Sequence, residues 1–330
     1  MPAPCGVKMG RHAYSPWANL STSHLSQGVG IAIAAPGGYA LDDGLLARGI
    51  ERLEQQGCTV HNYYDSAHKH LRFAGTDAGR LAQLNAAAAD PDVQVVIALR
   101  GQYGLSRILP QIDFRAMADS GKLFVGYSDF TAFNCGLLQA TGRKSFAGPM
   151  MCDDFIREEP VDYTLAQFWQ CLRGPTHRVR GEACGNPQVD VEGTLWGGNL
   201  AMLAHLAGTP YFPRIEGGIV FLEDINEHPY RVERMVLQLL YSGALAGQRA
   251  LVLGDFSGYR LAPTDNGYDF DTMLAYLRET LPMPVLTGLP FGHVRHRCTL
   301  PFGGRAHLVS DATGFDLTVT DYPTLDNPGL

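Results

Sequence analysis

"KLFVGYSDFTAFN", residues 122–134, decides how this chain is built. Leu123, Phe124 and Val125 have the character of a short buried strand. Gly126 breaks the run, and from Asp129 a helix-compatible pattern continues through Phe133, Leu137 and Leu138. A strand turning directly into a helix is the repeating unit of a parallel α/β sheet. Ser128 falls on the turn. Such a turn can lift a side chain clear of the backbone and aim helix-start N–H groups at whatever that side chain attacks. The position also suits an ordinary helix cap, because Ser and Asp both satisfy orphan N–H groups. Local pattern leaves both readings open.

Working back towards the start, the same alternation recurs. "GIAIAAP" (30–36) is a strand ending in a Pro-Gly-Gly turn. In "LDDGLLARGIERLEQQG" (41–57), Leu45, Leu46, Ile50 and Leu53 repeat at helical spacing and Gly57 stops the helix. "CTVHNYY" (58–64) is the next strand. "DAGRLAQLNAAAADPD" (77–92) is a helix, with Asp77 expected as its cap. "VQVVIALR" (93–100) is a near-continuous apolar strand, "RGQYG" (100–104) a glycine-bounded turn, and "LSRILPQID" (105–113) a short helix. Apolar strands alternating with helices predict a doubly wound parallel sheet covered on both faces. Ligands of such sheets bind outside the carboxyl ends of the strands. Both "RGQYG" and "GYSD" (126–129) lie at such ends.

After about residue 150 the rhythm changes. "MMCDDFIREEPVDYTLAQFWQCLRGP" (150–175) reads as an irregular connection running into a helix. Strands are expected near 188–195, 218–223, 249–255, 284–288, 305–310 and 315–320, with helices near 198–207, 230–244 and 268–280. The spacing is less regular, which predicts a mixed α/β sheet or partial barrel. The organisation expected is an arm over 1–29, a parallel α/β domain over 30–150, a connection over 151–187 and a second domain over 188–330.

The bulk properties exclude several classes. The 330 residues are 45% hydrophobic and 18% charged, enough for a substantial core. A formal net charge of -7, a pI near 5.9 and the lack of any basic run argue against nucleic acid. "GIVFL" and "ALVLG" are strand-sized, far short of a membrane span. The first thirty residues hold no continuous apolar segment, so no secretory signal is expected. Seven scattered cysteines without a C-x-x-C pair fit reduced thiols in a cytoplasm.

A serine needs a base to take its proton and a third group to orient that base. "GGIVFLEDINEHPYRVERM" (217–235) ends a strand at Glu223-Asp224, and "GLPFGHVRHRCTLPFGG" (288–304) sets His293 in a Gly- and Pro-rich loop. Ser128, a carboxylate and His293 make one candidate set. Among Glu223, Asp224 and Glu227 the pattern does not choose. The elbow G-x-S-x-G is absent, since the sequence reads Gly126-Tyr127-Ser128-Asp129-Phe130. A rival is zinc on His293, His296 and Cys298 in "HVRHRC", whose ligand types suit the metal but whose spacing matches no standard site. "RGQYG" is too short for a phosphate loop, and "APGGYA" (35–40) lacks the dinucleotide fingerprint. An oxyanion hole is a better use: one N–H from this turn, Gly101 to Gln102, and one from Asp129. "GTLWGGNLAMLAHLAGTPYFP" (193–213) puts Trp196 and Asn199 at a strand-to-helix turn, as substrate-facing residues or as plain packing.

Read together, "IAIAAPGG", "AGTDAGRLAQLNAAAADPDVQVVIALRGQYG", "GYSDFTA", "GTLWGGNLAMLAHLAGTPYFP", "FLEDINEHPYRVERM" and "GLPFGH" resemble the LD-carboxypeptidase family. Its serine peptidases cleave cytoplasmic muropeptides and include the microcin C immunity peptidases. The resemblance spans about residues 30 to 310. It implies Ser128 as nucleophile, Glu223 as acid and His293 as base. It also implies hydrolysis of the amide before a terminal D-alanine of a murein peptide, no cofactor and a homodimer. Arg231 is one candidate for the substrate carboxylate. The same resemblance leaves room for a peptidyl-nucleotide substrate, which an aromatic pair in the 150–190 loop would favour. A non-catalytic small-molecule binder is the more distant alternative. One departure stands out: the family's turn commonly reads Arg-Gly-Gly-Tyr-Gly, and Gln102 replaces the second of its three glycines. Gln102 is therefore expected to hold a conformation that Gly reaches more easily.

Overall fold

The computed structural model describes residues 26–182, 185–311 and 313–329. Most of the expected arm, with Cys5, lies outside the described residues, as does Cys184. Strands run in chain order as β1 (Gly30–Ala34), β2 (Thr59–Asn62), β3 (Val95–Ala98), β4 (Leu123–Val125), β5 (Ser145–Ala147), β6 (His177–Glu182), β7 (Val189–Asn199), β8 (Ile219–Glu223), β9 (Ala250–Leu253), β10 (Val285–Thr287), β11 (Leu300–Phe302), β12 (Arg305–Asp311) and β13 (Gly314–Thr320). They form two sheets.

The first has the order β11-β5-β4-β3-β1-β2. From β2 to β5 every pairing is parallel, as the apolar strands predict. Strand order reverses between β1 and β3, so the crevice at their carboxyl ends is the switch point where such sheets bind ligands. The turns after β1 and β3 meet there, with the Gly38 N–H donating to the Gly101 carbonyl at 2.9 Å. The helix after β2 begins at Asp77, but its cap is Thr76, whose hydroxyl accepts from the Gly79 N–H. Asp77 instead pairs with the buried Arg80.

The second sheet, β10-β9-β8-β7-β12-β13-β6, is mixed. It is parallel from β10 to β7 and antiparallel from β7 to β6. Two features differ from the sequence reading. The stretch expected as an irregular connection also contributes β6, where Val179 is buried between exposed Arg178 and Arg180. An edge strand with one charged face shows little apolar signal. The short β11 does not join its neighbours in sequence but pairs antiparallel with β5, closing the edge of the first sheet. Pro301 is tolerated because β11 is that sheet's outermost strand. Among the described residues no helix is long and apolar enough to cross a membrane.

Candidate active site

The strand β4 passes through Gly126 and Tyr127 into a tight turn, Ser128–Phe130, and then the helix Thr131–Thr141. Ser128 has φ +60°, a left-handed conformation that is costly for any residue with a Cβ. The strain lifts its hydroxyl off the turn. Gly101, from the turn after β3, passes directly beneath it: a Cβ there would fall 2.9 Å from that of Ser128, so only glycine fits.

The second sheet brings the other two groups. Glu223 is the last residue of β8 and is fully buried, and His293 lies in the loop after β10. His293 Nδ1 is 2.8 Å from Glu223 Oε2, and its Nε2 is 3.2 Å from Ser128 Oγ. A carboxylate only accepts, so the proton belongs on Nδ1 and the Nε2 lone pair faces the serine hydroxyl. Burial opposes charge on the imidazole, but the hydrogen bond and charge of Glu223 outweigh it and hold His293 above its ordinary value.

The three candidate carboxylates separate by geometry. Glu223 meets His293. Asp224 turns away to accept from the backbone N–H groups of Ala201 and Ile225. Glu227 pairs with Arg231, whose half-exposed side chain also lies beside Tyr230. Asn199 is a neighbour of a different kind. It lies opposite Glu223 in the β7–β8 register and donates its side-chain amide to Glu223 Oε1 (3.1 Å) and Asp224 Oδ1 (3.0 Å). One amide group thus fixes both buried carboxylates. Asp224, beside Glu223, is pushed up to about 6 by burial and by that neighbouring charge. The Asn199 N–H also donates to Thr131 Oγ1 at 3.1 Å, which docks β7 onto the start of the serine's helix. Gly198, at φ +116°, allows that approach, since a Cβ there would strike the Thr131 hydroxyl.

Trp196 is not presented to this cleft. Its indole is buried, donates to Gln248 Oε1 at 3.1 Å and packs edge-on against Phe212. The apolar indole gains more from the core than from a wet cleft, and the packing alternative holds. Nor do His293, His296 and Cys298 gather into a ligand set. Cys298 is buried with its N–H on the Pro290 carbonyl, and His296 sits beside Tyr163. Among the described residues no three His, Cys, Asp or Glu side chains converge as metal ligands would.

Gln102 has φ +64°, the conformation its glycine counterpart would adopt freely. Its side chain lies over the first turn, where a Cβ on Gly38 would sit 2.8 Å from the Gln102 amide oxygen. Gln102→Gly is expected to raise stability by about 1 kcal/mol, the left-handed strain relieved less the entropy glycine adds to the unfolded chain. Urea denaturation of the variant beside the parent measures this, and a lower midpoint for the variant would show that the Gln102 contacts outweigh the strain.

The Asp129 side chain has a partner of its own. Its buried carboxylate accepts from the Leu105 N–H at 2.8 Å, tying the serine turn to the far end of "RGQYG". Burial pushes its pKa up to about 7, against the hydrogen bond from Leu105. A carboxylate raised in the folded state binds protons more tightly there than in the unfolded chain. Its contribution therefore makes stability fall as pH rises from about 4 to about 7. Asp129→Asn keeps an acceptor for Leu105 and removes the ionisation. Urea midpoints between pH 4 and pH 8 are expected to show a smaller loss with rising pH in the variant than in the parent; equal slopes would refute this.

Residues 31–148 match the LD-carboxypeptidase N-terminal domain and residues 192–308 the LD-carboxypeptidase C-terminal domain. The crystal structure of muramoyltetrapeptide carboxypeptidase from Oxalobacter formigenes shares 55% identity with this chain. It covers 90% of this chain and 100% of its own at a TM-score of 0.86. The murein tetrapeptide carboxypeptidase of Pseudomonas aeruginosa is 30% identical over 291 residues, 84% of this chain and 92% of the relative. The microcin C7 self-immunity protein of Escherichia coli is 24% identical over 307 residues, 82% of this chain and 87% of that one. With the two domain models spanning well over half its length, the chain belongs to the LD-carboxypeptidase family and is a carboxypeptidase.

Proposed function

We propose that this enzyme hydrolyses the amide joining an L-configured centre to a terminal D-alanine in murein peptides, by a Ser128–His293–Glu223 triad. The observation that carries the proposal is His293, within hydrogen-bond distance of both Glu223 and Ser128 while Ser128 holds a left-handed turn. His293 Nε2 takes the hydroxyl proton as Ser128 Oγ attacks the carbonyl carbon. Glu223 holds the imidazole orientation and stabilises the imidazolium that forms. The tetrahedral oxyanion is met by the N–H groups of Gln102 and Asp129, each such donor being worth about 3 kcal/mol in comparable sites. The first assignment is supported by the peptide geometry. The Gly101 carbonyl accepts from Gly38, and in a trans peptide the Gln102 N–H points the opposite way. His293 then protonates the leaving amine of D-alanine. Water, deprotonated by the same imidazole, resolves the acyl-enzyme and restores Ser128.

The murein substrate is favoured over a peptidyl-nucleotide by the stretch 150–190. Its aromatic residues Phe155, Phe168 and Trp169 are buried against one another, and Tyr163 is half-buried beside His296. None is offered for stacking on a base. The site of action in this reading is the cytoplasm, where murein peptides are recycled, and the active form is a homodimer, which sedimentation tests directly.

The deciding experiment is D-alanine release from L-Ala-D-Glu-diaminopimelate-D-Ala, followed by mass spectrometry with and without chelator. Release that survives chelator supports the serine reading. Release lost to chelator would return attention to His293, His296 and Cys298 as metal ligands. A folded enzyme that spares this peptide and cleaves a peptidyl-nucleotide would overturn the substrate assignment.

A further inference from the structure

Of the residues of "HVRHRC" that neither the triad nor the metal alternative uses, Arg297 is the buried one. Arg297 is 1% exposed, so its charge is withdrawn from water. Its Nε donates to the Gly292 carbonyl at 2.7 Å and its Nη2 to the Val294 carbonyl at 3.2 Å, the residues on either side of His293. The same Nη2 donates to the Tyr127 hydroxyl at 2.8 Å, and the guanidinium lies 3.8 Å from the Tyr127 ring centre. Tyr127 immediately precedes Ser128, and its ring meets the His293 imidazole edge-on at 5.0 Å. Nη1 pairs with the buried Asp154 carboxylate, which also accepts from the Met150 N–H. The Arg297 N–H donates to Thr164 Oγ1, which in turn donates to the Arg295 carbonyl. A single buried side chain therefore touches the His293 loop on both sides, the residue before the serine, and the chain after β5.

We propose that Arg297 is a positioning residue: it clamps the His293 loop to the Tyr127–Ser128 turn, so that the base and the nucleophile, which come from different sheets, keep their register. The inference rests on the triad reading for its activity measurements, though not for its structural ones. Asp154 is the counter-charge that makes burial of the guanidinium tolerable, because a buried ion without its partner is strongly destabilising.

The clamp also carries charge to the base. The groups facing His293 are Glu223 from β8, Ser128 and Tyr127 from the β4 turn, and Asp153 from the turn after β5, with Asp154 behind Arg297. Arg297 comes from its own loop, and Asp255 lies beside Gly292. The Arg297 guanidinium favours the neutral imidazole, and Glu223 and Asp153 favour the charged one. Removing the charge of Asp154 leaves Arg297 opposed by Asp153 and Glu223 alone and is expected to lower the His293 titration point. Removing both charges returns it towards that of the parent.

Three variants test this. Arg297→Lys keeps the charge but cannot reach Gly292, Val294, Tyr127 and Asp154 together. Its kcat for D-alanine release is expected to fall about 10- to 100-fold, as for a misplaced catalytic group, with KM little changed. Asp154→Asn is expected to move the His293 titration point, read by NMR of histidine-labelled enzyme without substrate, down by about one pH unit. The double variant Arg297→Met with Asp154→Asn removes the buried pair without orphaning either charge. It is expected to fold, to titrate near the parent value and still to lose kcat. Parental kcat in folded Arg297→Lys, or in the double variant should the first not fold, would overturn the clamp. An unmoved titration point in Asp154→Asn would overturn its electrostatic part. A parent that releases no D-alanine would sink the triad reading instead, while the NMR titration still decides the charge coupling.

Discussion

Ser128→Ala is expected to lower kcat/KM for D-alanine release by about 10⁴-fold or more, the cost of removing the nucleophile from a triad that works as a unit. The fold should survive, because the serine side chain's described hydrogen bond is the one to His293. A fluorophosphonate reagent is expected to label the parent once, on Ser128, and to leave the variant unlabelled. Residual activity within tenfold of the parent would remove Ser128 from the chemistry. The positive φ adds a second readout. Ser128→Gly should be as inactive as Ser128→Ala yet more stable, since only the glycine relieves the strain. If both variants melt together, the turn holds no strain worth measuring.

Glu223→Gln is expected to cost about 10³- to 10⁴-fold in kcat/KM, for a reason visible in the hydrogen bonds around it. Asn199 donates to one carboxylate oxygen, so in the glutamine variant the amide oxygen takes that place and the NH₂ group faces His293 Nδ1. Two donors cannot share that contact. The imidazole answers by moving its proton to Nε2, which then points a hydrogen at Ser128 and has no lone pair to accept one. The variant keeps shape and volume but holds the wrong tautomer. Its residual activity should also show a shifted pH profile. In the parent, Glu223 outweighs burial and keeps His293 above its ordinary value. Without that anion burial dominates, so the acid limb of kcat/KM moves to lower pH. An unmoved limb, or a loss below tenfold, would mean that Glu223 does not govern the base.

Much of this was legible in the residues, and what was not has identifiable causes. The run from β1 to β4 could be read because buried parallel strands are apolar throughout and their helices carry a 3.6-residue stripe. Ser128 could be located because a strand-to-helix turn has a local pattern. Glu223 could not be separated from Asp224 on chemistry alone. The difference is which carboxylate the Ala201 and Ile225 N–H groups capture, and that contact depends on the β7–β8 register. Trp196 could be read as substrate-facing or as packing, and the Gln248 acceptor that draws it inward comes from far along the chain. Arg297 left no signal. One arginine in a glycine-rich loop is indistinguishable from a solvated one until Asp154 and Tyr127 are brought beside it.

The strand β11 has a consequence for how the enzyme comes into being. It follows His293 closely in the chain, yet it completes the sheet that carries Ser128. As the chain leaves the ribosome, β1 to β5 emerge first, and β5 waits with one edge unpaired until the far end of the protein arrives. Pairing at such long separation is slow, because a large loop must close before any contact rewards it. The segment that seals this edge lies seven residues beyond the histidine that meets the serine. The stretch that completes the first sheet is thus continuous with the one that brings His293 to Ser128.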